Sequence, residues 1–177
     1  NIAFGTASKY GTVAADNVNA INIFANQAGT GTNLAEGSYT QTNTFYYTLV
    51  PAGIVGAAAG SATAPKVFQF VDNIPSTQLQ NGQSAFRIIN ASPGLATPIT
   101  IFNDTNNGGQ ITNIGSIAYG NATTATISNV MSNGYFFITP GTYTFTIRDN
   151  AGNVIKTVAA NPLAGIQLKA GTAYTFI

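Results

Sequence analysis

The side chains that most often do chemistry are scarce in this chain. Its 177 residues include no histidine and no cysteine, and they carry six Lys and Arg against five Asp and Glu. Without histidine there is no Ser-His-Asp triad, and the commonest general base is missing. Without cysteine there is neither a disulfide framework nor a thiolate metal site. The remaining acids are Asp16, Glu36, Asp72, Asp104 and Asp149, and even the nearest two, Asp16 and Glu36, lie well apart in sequence. Carboxylates can converge in space to cleave a glycosidic bond, but no spacing here marks such a pair. The expectation is a protein that is not an enzyme, with no catalytic, cofactor-binding or metal residues and no cofactor.

Three weaker signals have ordinary structural readings. Asp104-Thr105-Asn106-Asn107-Gly108 follows the opening of a calcium loop, D-x-N-x-G, but the distal Glu is missing. It reads better as a polar turn, as does Asp149-Asn150-Ala151-Gly152-Asn153, because Asp and Asn bond their own backbone and Gly takes positive φ. Asn90-Ala91-Ser92, Asn103-Asp104-Thr105 and Asn121-Ala122-Thr123 fit the N-glycosylation pattern, which an Asn- and Thr-rich chain also produces by chance. Tyr46, Tyr47, Tyr135, Phe136 and Phe137 are candidates for a sugar-stacking platform. Their alternative is to fill a core on one face and a subunit contact on the other.

Composition narrows the class of partner. Charged residues make up 6% of the chain and the net charge is +1, so there is no electrostatic case for nucleic acid or an anionic membrane. The polar surface must be Thr, Asn, Ser and Gln, and a near-neutral surface does little to keep chains apart. The Ala- and Gly-rich stretch 51–65 is too short to span a bilayer and reads as a loop. No signal peptide is visible, and a chain that opens on Asn rather than Met fits a start after processing.

The elements that position these residues are strands. Tyr143-Thr144-Phe145-Thr146-Ile147 alternates apolar and hydroxyl side chains, as a strand with one buried face does. Residues 20–24, 166–168 and 174–176 follow suit, and 67–71, 86–89 and 99–102 are short runs of β-formers. Turn signals separate them at Asn81-Gly82, Asn107-Gly108-Gly109, Asn133-Gly134, Pro140-Gly141 and Ala170-Gly171. The fold class expected is all-β, an antiparallel immunoglobulin-like β-sandwich.

The strands fall into two repeats. Ile2-Ala3-Phe4-Gly5 matches Ile117-Ala118-Tyr119-Gly120, and Ile21-Asn22-Ile23-Phe24-Ala25-Asn26 matches Phe145-Thr146-Ile147-Arg148-Asp149-Asn150. Tyr47-Thr48-Leu49-Val50 matches Tyr174-Thr175-Phe176-Ile177. The second copy has a front section, about 84–116, with no counterpart ahead of Asn1, so the first copy is expected to be incomplete. The polar stretch 73–83, with Pro75 and an Asn-Gly pair, is the expected junction. It divides the chain into a truncated repeat with a linking strand (1–83) and a complete sandwich (84–177).

Several motifs of the second copy resemble a family of secreted, mostly bacterial domains known as domain of unknown function 4397. They are Phe86-Arg87-Ile88-Ile89-Asn90-Ala91-Ser92-Pro93, Ile99-Thr100-Ile101-Phe102, Ile117-Ala118-Tyr119-Gly120, Ile138-Thr139-Pro140-Gly141-Thr142-Tyr143 and Leu168-Lys169-Ala170-Gly171-Thr172-Ala173-Tyr174-Thr175. The first copy lacks the Asn-Ala-Ser-Pro strand. The resemblance implies a secreted or envelope address and an immunoglobulin-like sandwich often found in tandem. It defines no functional residues.

An incomplete β-repeat exposes unpaired backbone and apolar surface that something must cover. The function expected is therefore a structural subunit of an extracellular filament, pilus-like fibre or surface layer, assembling by β-strand addition between copies. Its partners are copies of itself, with no nucleic acid and no membrane span. The alternative is a monomeric envelope adhesin or carbohydrate-binding module, with surface glycans as partners. The donor strand is sought in residues 1–13 or 171–177, which makes Ile2, Phe4, Tyr10, Tyr174 and Phe176 the candidate interface residues.

Overall fold

The computed structural model describes residues 8–24, 33–43, 45–72, 79–95, 97–105, 114–123, 134–155 and 162–177. They contain the strands β1 (Val18–Phe24), β2 (Asn33–Thr40), β3 (Tyr47–Ala52), β4 (Lys66–Val71) and β5 (Ser84–Ile88). Next come β6 (Ile99–Asn103), β7 (Phe136–Ile138), β8 (Gly141–Asp149), β9 (Leu163–Leu168) and β10 (Ala173–Phe176). The fold is all-β and its sheets are antiparallel apart from one strand pair. The chain divides into two compact units, Asn1–Asp72 and Asn73–Ile177.

The second unit is a sandwich of two three-stranded sheets, ordered β10-β5-β7 and β6-β8-β9. Phe86, Ile88 and Phe136 from the first sheet meet Ile99, Ile101, Phe145, Ile147 and Leu168 from the second, with Ile114 and Ile117 closing the core. Phe86 is fully buried, and its ring lies 4.2 Å from that of Phe136 and 5.3 Å from that of Phe145. Tilted ring pairs at these distances add to area burial, because the ring edge of one meets the face of another.

The exception to antiparallel pairing is β10, which runs parallel to β5 with Tyr174 beside Phe86 and Phe176 beside Ile88. A parallel pair needs a long crossover, and the whole second sheet supplies it, since these are the first and last strands of the unit. All five residues of β5 are buried, because β5 is the central strand and both its faces are covered. On the face away from the core, the Arg87 side chain is fully buried. Its Nε donates to Thr175 Oγ1 at 3.1 Å and its guanidinium lies 4.6 Å from the centre of the Tyr135 ring. The Tyr135 and Thr175 hydroxyls share a hydrogen bond of 2.7 Å. This polar layer fastens the C-terminal strand to its neighbour.

The Asn-Ala-Ser-Pro motif has a mechanical role. Asn90 is buried; its Nδ2 donates to the Ile117 carbonyl at 3.0 Å and its Oδ1 accepts from Ser92 N at 3.1 Å. Those bonds tie the end of β5 to the Ile117 segment, which bridges Ile99 on the outer side of β6. An amide so enclosed has no room for a glycan.

Burial does not alternate along the middle of β8. Thr146, expected on the solvent face of β8, is buried because its hydroxyl donates to the carboxylate of Asp104. Asp104 thus ends β6 by holding β8, and the rest of the calcium-like loop, 106–108, lies outside the described residues. Among the described residues no three acids cluster in a way that would hold a metal ion.

Asp149 closes the next turn. Its Oδ1 accepts from the backbone of Ala151 and Asn153, both at 2.9 Å, and its Oδ2 accepts from Asn153 Nδ2 at 3.1 Å. The Asn153 side-chain bond, followed by the backbone bonds, holds its carboxyl below the usual value of 3.8. A depressed folded pKa gives stability that is present above the unfolded value and disappears as pH falls through the folded one. Asp149→Ala is therefore expected to lower the melting temperature of the chain at neutral pH, with the gap from wild type closing as pH drops below about 3.8. A gap that stays constant across a melting series from pH 7 to pH 2 would remove the carboxylate from this account.

The first unit is thinner. It holds two two-stranded sheets, β1-β2 and β3-β4. Tyr39 on β2 donates its hydroxyl to the carbonyl of Val67 on β4, linking the two hairpins. Burial raises the Tyr39 phenol above the usual 10.0, which keeps it a donor. The 53–65 loop joins β3 to β4 and opens at Gly53, whose φ of +146° and contact with the Pro65 backbone leave no space for a Cβ. No helix among the described residues is long and apolar enough to cross a membrane.

Candidate functional site

The repeat matched in sequence is visible in the strands. β8 carries the residues matched to β1, and each runs antiparallel to the strand that follows it, β9 and β2 respectively. The difference lies on the opposite edge. β8 is flanked there by β6, with Ile101 beside Ile147 and Asn103 beside Phe145. Among the described residues β1 pairs with β2 alone.

The apolar side chains register this difference. Phe145 and Ile147 are 2% and 8% exposed, whereas their counterparts Ile21 and Ile23 are only half-buried. Leu49, matched to the core-packed Phe176, is 38% exposed. Among the described residues, the buried apolar side chains of the first unit are Ala35, Val50 and Val67, against a far larger set in the second. Tyr10, Val13, Phe45, Tyr46, Leu49, Ile54 and Val55 stand exposed in the first unit, while Val154 and Ile177 do so in the second. Among the described residues, large exposed apolar side chains are thus more numerous in the first unit than in the second.

The edge of the first unit also carries an aromatic pair. The rings of Tyr10 and Tyr46 meet edge to face at 5.3 Å, and both are more than half exposed. The Tyr10 hydroxyl donates to Asp72 Oδ2 at 2.9 Å, and Thr48 Oγ1 donates to the same oxygen at 2.6 Å. Asp72 therefore pins the root of the N-terminal segment to the end of β4. Of the other aromatic candidates, Tyr135 and Phe136 are buried, Phe137 is half-buried on β7, and Tyr47 is half-buried with its hydroxyl accepting from Thr42 N at 2.8 Å. An open groove of about 460 Å³ runs between β2 and the 53–65 loop, lined by Leu34, Glu36, Val55, Ala57 and Pro65 among others.

The candidate interface residues fall into three groups. Tyr174 and Phe176 lie on β10, half-buried against the core and paired to β5 of their own unit. Tyr10 is exposed at the root of the N-terminal segment. Ile2 and Phe4 lie outside the described residues. Ile21 and Ile23 were not singled out from sequence as interface residues, although their matches to Phe145 and Ile147 carried the signal. Two apolar pairs matched across the repeat differ in how much of each is covered.

No family model matches the chain, and no curated protein and no solved structure is significantly similar to it.

Proposed function

We propose that the protein is a structural subunit that polymerises by β-strand addition, building an extracellular filament or surface layer. The observation that carries this reading is the contrast at matched positions: Phe145 and Ile147 are covered, while Ile21 and Ile23 stay half-open on a two-stranded sheet. A strand contributed by a second copy completes the first unit through main-chain hydrogen bonds, and its alternate side chains fill the apolar gaps. The contact is head-to-tail, so it need not close, and repetition generates a fibre. The near-neutral surface, with a net charge of +1, offers little repulsion to such stacking. Resemblance to a secreted domain family agrees with an extracellular address.

The donor is the N-terminal segment. The C-terminal strand is already committed to β5, held by four residues of parallel pairing and by the Arg87–Thr175 bond. The N-terminal segment offers Ile2 and Phe4 at alternate positions and no charge before Lys9.

Electron microscopy of the protein at native concentration, without chaotropes, tests the reading. Ordered fibres are expected, and removal of residues 1–7, which spares the Tyr10–Asp72 bond, is expected to abolish them. Discrete monomers of the intact chain would sink the proposal. That result would favour the second reading, a glycan-binding module on the exposed Tyr10 and Tyr46 rings beside Asp72.

A further inference from the structure

The second unit contains its own template for what the first unit receives. β10 is flanked by β5, and its counterpart β3 is flanked by β4, so a local strand occupies that position in both units. β8 is flanked by β6, whereas the corresponding edge of its counterpart β1 has no partner among the described residues. By this correspondence two strand positions have no occupant among the described residues of the first unit, one beside β1 and one beyond β4, where β7 pairs with β5 in the second. The position beside β1 is the one whose occupant in the second unit, β6, carries an Ile-x-Ile pattern.

Building on the strand-addition reading, we infer that the acceptor is the edge of β1 opposite β2, and that the N-terminal segment of a second copy pairs with it antiparallel. The register follows from β6 on β8. There Ile99 lies beside Asp149, Ile101 beside Ile147 and Phe102 beside Thr146. The two anchors of β6, Ile99 and Ile101, are 4% and 1% exposed, and they alternate with Thr100. The N-terminal segment presents the same pattern as Ile2-Ala3-Phe4. Seating Ile2 for Ile99 and Phe4 for Ile101 sets Phe4 beside Ile23 and Gly5 beside Asn22. The inserted anchors would flank Ile21 and Ile23 within the sheet, as Ile99 and Ile101 of β6 lie alongside β8. A one-residue slip would turn both anchors to the opposite face, because side chains alternate along a strand. The register is therefore as specific as the edge.

A rival placement exists within one chain. Ile2-Ala3-Phe4-Gly5 also matches residues 117–120, and Ile117 bridges the outer side of β6 through Ile99, with N–O distances of 2.9 and 2.7 Å. In that arrangement the segment would sit one strand beyond the position beside β1, roughly 5 Å farther from β1. The two placements differ in which residues can be crosslinked.

The chain has no cysteine, so introduced thiols report without background. Gly5→Cys combined with Asn22→Cys places two thiols on directly opposed residues, within disulfide reach of about 5.5 Å between Cα atoms. Oxidised fibres of this double variant are expected to run as a ladder of linked chains on a non-reducing gel. Gly5→Cys combined with Ser38→Cys on β2, or with Gln69→Cys on β4, is expected to give monomers under the same treatment. Fibres whose ladder appears with Ser38→Cys or Gln69→Cys instead would overturn the β1 edge and leave strand addition standing. Fibres with only an intrachain Gly5–Asn22 disulfide, or with no crosslink, would overturn the edge and register together. Absence of fibres from the unmodified chain would overturn strand addition itself, and this inference with it.

Discussion

Ile23→Lys is expected to yield a folded protein that no longer polymerises. Ile23 is half-buried on β1, whose far edge has no partner among the described residues, so a lysine there can carry its ammonium to water along its own stem. The cost to the free subunit is expected to be about 1 kcal/mol, the centre of the range for single substitutions. Assembly is different. An incoming strand would have to bury that ammonium beside Phe4, and edge lysines are a common natural block against strand pairing. Losing one central apolar anchor of an interface typically costs about 2 kcal/mol or more, which is roughly a 30-fold rise in the critical concentration for fibre growth. The measurement is sedimentation of fibres across a concentration series, with far-UV circular dichroism as the check on folding. The matched substitution Ile147→Lys serves as contrast, because Ile147 is 8% exposed, flanked by Ile101 of β6 and packed in the core of the second unit. It is expected to unfold the second unit. Fibres of Ile23→Lys forming at the wild-type concentration would exclude β1 from the contact.

The second large effect is expected from Phe86→Ala. Phe86 is 0% exposed and its ring meets those of Phe136, Phe145 and Phe176 at 4.2, 5.3 and 6.2 Å. It lies on the central strand of one sheet and contacts the other sheet, so its removal leaves a cavity that neither sheet can collapse alone. Phe→Ala substitutions of this kind cost about 3–5 kcal/mol, a large part of the stability of an ordinary domain. Urea denaturation should show an early transition for the second unit, while the Tyr39-linked hairpins of the first retain their own midpoint. A single transition displaced by less than about 1 kcal/mol would mean that the Phe86 cluster does not carry the core.

Much of the fold is legible in the sequence. The runs 67–71, 86–89, 99–102 and 174–176 all lie on strands β4, β5, β6 and β10, apart from Ile89, an isolated bridge just past β5. Period-2 alternation of Thr with apolar residues is a direct record of one face in water and one in a core. β2 was not legible, because Asn33-Leu34-Ala35-Glu36-Gly37-Ser38 has few β-formers. It becomes a strand through backbone pairing with β1, which ignores side-chain propensity. β7 was hidden for another reason. Tyr135-Phe136-Phe137 reads either as a sugar-stacking platform or as a core face backed by a subunit contact, and the burial of Tyr135 and Phe136 favours the core for those two. Thr146 misled in the same way, since its partner Asp104 is remote in sequence.

By itself the sequence determined the strand class, the internal repeat, the lack of histidine and cysteine and the weak surface charge. Each is a property of residue type or of local spacing, and local spacing survives in a linear string. Only the tertiary structure decided that β10 pairs parallel with β5, that Arg87 is buried to hold it, and that the matched side chains Ile21 and Phe145 have different surroundings. Those facts depend on which strand lies beside which. Pairing joins residues far apart in the chain, as Arg87 and Thr175 are, and no local pattern encodes the neighbour. The candidate site belongs to this second kind: it is the edge of β1 that has no partner among the described residues, defined by contrast with β8, which β6 flanks.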